Sequence, residues 1–420
     1  MNRFIVSLVL IFTFAGLLSL PVVSAQEAPS LDWDIDSVFD VPPAEPPKEE
    51  QNEKAVSALD LVKQRGVVFE SAFQFIGGVA PGWDNAPWYT GEERNFSLAP
   101  SAKMLADFTL DVQISEVFRV NTSIGFEVPL FIFKLKTFFA DYNLLDRIFI
   151  RAGKYDLYWG ISSNYAFTNL LARLPENYAA HDSFILKADI PVGIGGFQLL
   201  AMTRADLLNG AEPGRGDIGY GGKFNLALRM ADFDLGIFNQ DDMPLRFFLS
   251  VKTTLGGFEL YNEWLGAVDV SDPKDFSGAV NIGFTRSFFK DKLWINGEVF
   301  YNAEKNAFWY EPESTLRDAE ISPFLTGFNF ALNLLYRFGG KLNPNIFIKA
   351  LYSPDEKSSQ LVPGLRLSLF PHTELYLAVP MALGSRDGYY YTSTPDLNDR
   401  PFSIVILLSL KGSFRLGYNF

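Results

Sequence analysis

The chain has 420 residues, 48% hydrophobic, 15% aromatic and 20% charged, with 40 Phe, no Cys and a formal net charge of −13. Without cysteine there is no disulfide, no Fe–S cluster, no Cys-ligated zinc and no lipidated N-terminal Cys. No stretch is basic enough for nucleic acid, and the length suits either two or three soluble domains or one large β structure.

Residues 1–25 hold one Arg, a long apolar run and then Val23-Ser24-Ala25. This is the layout of a signal peptide, with cleavage expected after Ala25. An uncleaved anchor is the rival, since residues 4–23 are long enough to span a bilayer. Residues 26–54 carry nine acids and two lysines, a net charge of −7, and are rich in proline. Such a stretch buries too little apolar surface to offset its ordering entropy, so 26–66 is expected to be a periplasmic tether. Within it, "WDIDSVFD" reads as a docking motif or a solvated tail, and Ala55–Gln64 has apolar residues at helical spacing. A plug for the rest of the molecule is a second use of this segment.

From Val67 the pattern changes to period two. Phe108, Leu110, Val112 and Ile114 alternate with Asp107, Thr109, Asp111 and Gln113. Phe118, Val120, Ile124 and Phe126 alternate with Arg119, Asn121, Ser123 and Glu127. Strands are expected near 67–77, 103–114, 117–127, 131–140, 147–154, 183–190, 197–204, 219–230, 233–240, 246–255, 258–267, 278–288, 293–301, 327–338, 346–352, 362–369, 374–383 and 403–420. A soluble sandwich also alternates. Three features favour a membrane barrel: segments of spanning length, one very apolar face opposite a charged one, and tight turns alternating with long polar loops.

Turns are found by parity, because the residues flanking a two-residue turn face the same way. Apolar residues switch from even to odd between Met230 and Phe233, which places a turn at Ala231-Asp232. They switch again across Gly256-Gly257, and between Phe288 and Leu293. The last stretch, "RPFSIVILLSLKGSFRLGYNF", contains a turn-like Lys411-Gly412-Ser413. Its apolar residues nevertheless stay even from Phe402 to Phe420, with Val405 and Leu407 as odd exceptions. One unbroken strand is expected, giving an all-β, closed antiparallel barrel of 16–18 strands over 67–420, most simply 18, with both ends on one side.

The terminal "FRLGYNF" resembles the last strand of Gram-negative outer-membrane porins. By that resemblance Phe414, Leu416, Tyr418 and Phe420 form the signal read by the barrel assembly machinery. The resemblance also implies an outer-membrane location, lipid neighbours and an inward-folded third outer loop, here Tyr155–Asp182. "RAGKYDLYWG", Arg151–Gly160, is similar to a strand-to-loop segment of some porin-like families. Oligomeric state is left open.

Parity lines the lumen with a basic wall of Arg119, Lys134, Lys136, Arg151, Lys187, Arg204, Lys223 and Arg229. Inward acids include Glu127, Asp189, Glu259, Glu263 and Glu298. A charged wall biases ion passage, so a mild anion preference is expected; mutual pairing of the charges is the alternative. Permeation follows from closure, since a barrel this wide leaves an aqueous lumen. The expected function is passive diffusion of small hydrophilic solutes or ions, with no cofactor and no metal. Alternatives are a selective transporter for a sugar, a fatty acid or another hydrophobic molecule, using inward aromatics such as Tyr261, Phe300 and Tyr376, and a surface adhesin using the outer loops. His181-Asp182-Ser183 has the spacing of an outer-membrane phospholipase pair, but both residues take lumen parity and no third member follows, so no enzyme is expected.

Overall fold

The computed structural model describes residues 66–83, 95–129, 131–162, 164, 183–203, 218–240, 244–268, 270, 276–303, 327–370, 372–385, 388, 390 and 402–419. These form one antiparallel sheet of twenty strand segments: β1 Gly66–Trp83, β2 Phe96–Ser115, β3 Phe118–Val128, β4 Ile132–Leu144, β5 Ile148–Lys154, β6 Phe184–Val192, β7 Gly195–Thr203, β8 Ile218–Ala227, β9 Ala231–Gln240, β10 Leu245–Leu255, β11 Phe258–Val268, β12 Phe276–Phe288, β13 Leu293–Asn302, β14 Gly327–Arg337, β15 Asn345–Ser353, β16 Ser358–Phe370, β17 Thr373–Ala378, β18 Met381–Gly384, β19 Phe402–Ser403 and β20 Val405–Asn419.

Twenty segments make 18 staves. β17 and β18 are one strand interrupted at Val379-Pro380, where proline supplies no N–H to the ladder. Both pair with β16, and the Val379 N–H donates to Pro363 O between them at 2.9 Å. β19 and β20 are likewise one strand along β1, bridged by the Ile404 N–H to Pro81 O at 2.9 Å. β1 pairs with β20 from Gly66↔Asn419 to Val79↔Ile406, which closes the ring. Closure leaves no edge, the condition for a sheet in hydrocarbon.

The final stave runs straight through Lys411-Gly412-Ser413. Leu408, Leu410, Phe414, Leu416 and Tyr418 are exposed on the outer face, while Lys411 and Arg415 form ion pairs inside, with Glu374 and Glu70. Gly412 is an in-strand glycine because the Phe73 ring covers it; a Cβ there would lie 2.2 Å from that ring. The exceptions Val405 and Leu407 point inward and are buried with Ile76, Leu335, Phe347 and Tyr376. Phe420 lies outside the described residues, as do residues 1–65.

Three expectations change. β8 ends at Ala227 and pairs it with Asp232, so the hairpin turn is Arg229-Met230 rather than Ala231-Asp232, closed by the Leu228 N–H to Ala231 O. Parity is unchanged by this two-residue shift, which is why alternation alone misplaced it. β1 and β2 run further than expected, because they continue to pair as far as Trp83↔Phe96 despite Pro81 and Pro100. In β4 a bulge opposite Ser123/Ile124 makes Thr137 face Ser123 and Leu135 face Ile124. The extra residue flips the inward set from even (Lys134, Lys136) to odd (Phe139, Asp141). The Gly256-Gly257 turn is as expected, with φ of 58° and 80°, the left-handed pair a type I′ hairpin requires.

An arginine at Leu408 should cost about 2–4 kcal/mol, and less nearer the rim, whereas Ser413→Arg points into the lumen and should be mild. Urea unfolding in detergent, followed by heat-modified gel mobility, measures both; equal stability of the two variants would refute the facing assignment.

Candidate functional site in the lumen

The inner wall is lined by ion pairs, most of them cross-strand. Arg119 on β3 forks onto Asp111 on β2, with Nε to Oδ1 at 2.8 Å. Lys136 meets Asp107 at 2.6 Å, Arg151 meets Asp141 at 2.6 Å and Lys187 meets Asp189 at 2.8 Å. Lys223 and Asp234 lie 3.6 Å apart, Lys252 and Glu259 2.7 Å, and Arg415 and Glu70 3.0 Å. Arg366 donates to Glu374 at 3.0 Å, and the Tyr376 hydroxyl donates to the same carboxylate at 2.5 Å. The expected basic wall is therefore a set of paired charges: most pairs join neighbouring strands, the arrangement that stabilises sheet pairs, while Lys187–Asp189 lies within β6 and Lys136–Asp107 spans β3.

Of the expected wall residues, Lys134 stands on β4 opposite Gly125, and Glu127 is on β3 opposite Ile132. Arg229 is corrected: it sits exposed in the β8–β9 turn, off the wall. Arg204 and His181 lie outside the described residues. Two inward acids were not foreseen. Asp141 was hidden by the β4 bulge. Glu374, in "PHTEL", opens the expected strand 374–383 and shares the inward parity of Tyr376, two residues on. Asp111, Arg119, Asp141, Arg151, Lys187, Asp189 and Arg415 line a cavity of about 580 Å³ at the tight-turn end.

At the other end the connection after β5 enters the barrel. The Trp159 Nε1–H donates to Gln198 on β7 at 2.5 Å, and its ring lies 6.2 Å from Phe248 on β10. The Ile161 N–H donates to Glu263 on β11 at 3.2 Å. The Ser162 hydroxyl and the Asn164 N–H both donate to Glu298 on β13, at 3.0 and 3.1 Å. The Asn164 amide donates to Asn296 at 2.8 Å and accepts from Asn333 on β14 at 2.6 Å. The segment thus starts on β5 and is bonded to β14, nine staves away in a ring of 18. The ten steps from Lys154 to Asn164 can span about 33–36 Å at most, and within that reach the segment passes from β5 to the opposite side of the ring.

The acids that hold it are preset. Glu263 and Glu298 are 0% and 2% exposed. Tyr261 reaches Glu298 from two staves away and donates its hydroxyl. It passes over Gly283 of the intervening β12, where a Cβ would be 2.1 Å from its ring. Buried carboxylates need such donors, and the crossing segment supplies most of them. Beside the crossing, Tyr155 and Trp159 pack with Leu200, Met202, Phe238, Phe248, Leu265 and Phe300. The inward aromatics expected to stack a sugar behave differently: Tyr261 and Phe300 are buried within this scaffold, and Tyr376 packs against the wall over Arg366.

A closed antiparallel barrel of 18 staves, apolar outside and ion-paired inside, is a transmembrane β-barrel of the porin type. Solved structures with the same fold include Pseudomonas aeruginosa OccK5 (OpdH), at 10% identity and TM-score 0.51 over 84% of this chain and 98% of that one. Acinetobacter baumannii OccAB4 matches at 10% identity and TM-score 0.50 over 84% and 100% of the two chains. Acinetobacter baumannii OccAB3 matches at 9% identity and TM-score 0.50 over 83% and 99%. No family model matches the sequence, and no curated protein matches it.

Replacing Gly283 with Val should displace Tyr261 and loosen the Glu298 anchor. Leaving one or two buried donors unsatisfied costs about 1–3 kcal/mol each. A cysteine placed at Ser162 should then react with a small maleimide much faster than in the Gly283 background; an unchanged rate would show that the anchor does not depend on Tyr261.

Proposed function

We propose that the protein is an outer-membrane channel for passive diffusion of small hydrophilic solutes or ions. The observation that carries this reading is the lumen itself: a closed barrel lined by ion pairs, crossed and narrowed at one level by Tyr155–Ser162 and Asn164. The fold shared with the Occ structures supports it. The crossing segment and its apolar packing close the side bounded by β6–β14. Besides Lys252–Glu259 beside the Gly256-Gly257 turn, water-accessible charges lie on β20 and β1–β5, where both partners of Arg415–Glu70 and Lys136–Asp107 are more than a third exposed. The solute path follows that wall.

The mild anion preference belongs to the same proposal. Acids pair with most of the basic wall, so the bias is small and is set by the cations that extend furthest into water, Arg415 and Lys136 among them. Export by a signal peptide cleaved after Ala25, and assembly through Phe414, Leu416, Tyr418 and Phe420, complete the reading.

Planar-bilayer recording tests it. Discrete conductance steps are expected, with a slight anion bias in the reversal potential across a KCl gradient. Trp159→Ala combined with Glu298→Gln should raise conductance on the order of twofold by releasing the crossing segment. The absence of steps from a correctly folded barrel would overturn the channel reading. Clear cation preference would overturn only the anion bias.

A further inference from the structure

We propose that Arg286 is a binding site for the phosphodiester of a glycerophospholipid at the tight-turn rim of the barrel. The outward positions of β6–β20 hold Phe, Leu, Ile, Val, Tyr, Trp, Met, Pro, Ala, Gly and a few small polar residues, and a single charged residue, Arg286 on β12. It pairs with Ile295 two residues before the end of the strand, so it sits at interfacial depth rather than at the bilayer centre. Its guanidinium sits in the corner between two nearly perpendicular rings, 4.2 Å from the centroid of Phe258 and 4.6 Å from that of Phe288, the ring planes meeting at 82°. Gly257 lies beneath, 3.8 Å from the guanidinium carbon by its would-be Cβ. Exposed Phe289 and the exposed Lys290 and Lys292 of the adjoining turn complete the rim.

A ring's π face attracts the cation but does not replace a carboxylate or phosphate oxygen as acceptor for its N–H donors. Among the described residues no acceptor or acid is bonded to Arg286. An arginine on a lipid face, packed into the corner of two aromatic rings with no bonded acceptor among the described residues, can offer its planar fork to the bidentate acceptor geometry of phosphate. Girdle aromatics set the depth at which lipid phosphates lie. Lys290 and Lys292 add local positive potential, which favours an anionic headgroup over a zwitterionic one. This inference rests on the membrane-embedded fold alone and is independent of whether the lumen conducts.

The test uses the full chain in a phosphate-free maltoside detergent, titrated with dioleoylphosphatidylglycerol and followed by native mass spectrometry. The wild type should bind one lipid about tenfold more tightly than Arg286→Gln. Arg286→Lys, which keeps the charge but loses the fork, should fall between them, and Phe258→Ala with Phe288→Ala should weaken binding while the cation remains. Heat-modified mobility verifies that each variant is a closed barrel, and Arg286→Leu, fully compatible with lipid, stands in for Arg286→Gln if that variant misfolds. Inorganic phosphate in excess should not displace the lipid. Equal lipid affinity in Arg286→Gln or Arg286→Leu and the wild type would overturn the site, and displacement by inorganic phosphate would overturn its assignment to a lipid.

Discussion

A backbone amide or carbonyl left unpaired in hydrocarbon costs several kcal/mol, so the sheet must bond its own last edge. In this protein that demand falls on one contact, the ladder between β1 and β20. With it formed, every spanning strand has two neighbours, alternate side chains are forced to lipid or to lumen, and an interior too wide for side chains to fill follows from the number of staves. The interruptions at Val379-Pro380 and at Ile404 are tolerated because the hydrogen bonds to Pro363 and Pro81 keep the ladder continuous across them.

The interior shows how charge is handled once it is enclosed. Neighbouring strands present acids and bases to each other, so most lumen charges are neutralised locally while staying wet. Glu263 and Glu298 are different. They are buried, and the crossing segment and Tyr261 are among their hydrogen-bond partners. The same chemistry that makes a paired carboxylate cheap at the open wall makes it a strong anchor where water is excluded. A polar anchor on β11–β14 and an apolar cushion around Trp159 together hold a crossing that neither would position alone.

Much of this was legible in the sequence. Lipid-facing positions such as Leu408 and Phe414, and lumen positions such as Arg119, Lys187, Glu259 and Glu298, are readable because side chains alternate strictly along a strand. Asp141 was not readable, since the bulge in β4 leaves no mark in the alternation except a one-residue slip. Arg229 was misread for the converse reason: a hairpin can move by two residues without changing parity. Arg286 was overlooked because outward parity marks a charge as an exception without saying what surrounds it.

The sequence by itself determined the class of fold, the strand number and the face of nearly every residue, because period-two alternation and closure are properties of the chain read locally. Only the tertiary structure decided which charges are paired, that the segment after β5 crosses to β14, and that Phe258 and Phe288 pack against Arg286. These contacts run from neighbours two positions apart on one strand, Arg286 and Phe288, to Glu70 and Arg415 on the first and last staves. They depend on stagger, on bulges and on side-chain reach across several staves, quantities that alternation along a single strand does not encode.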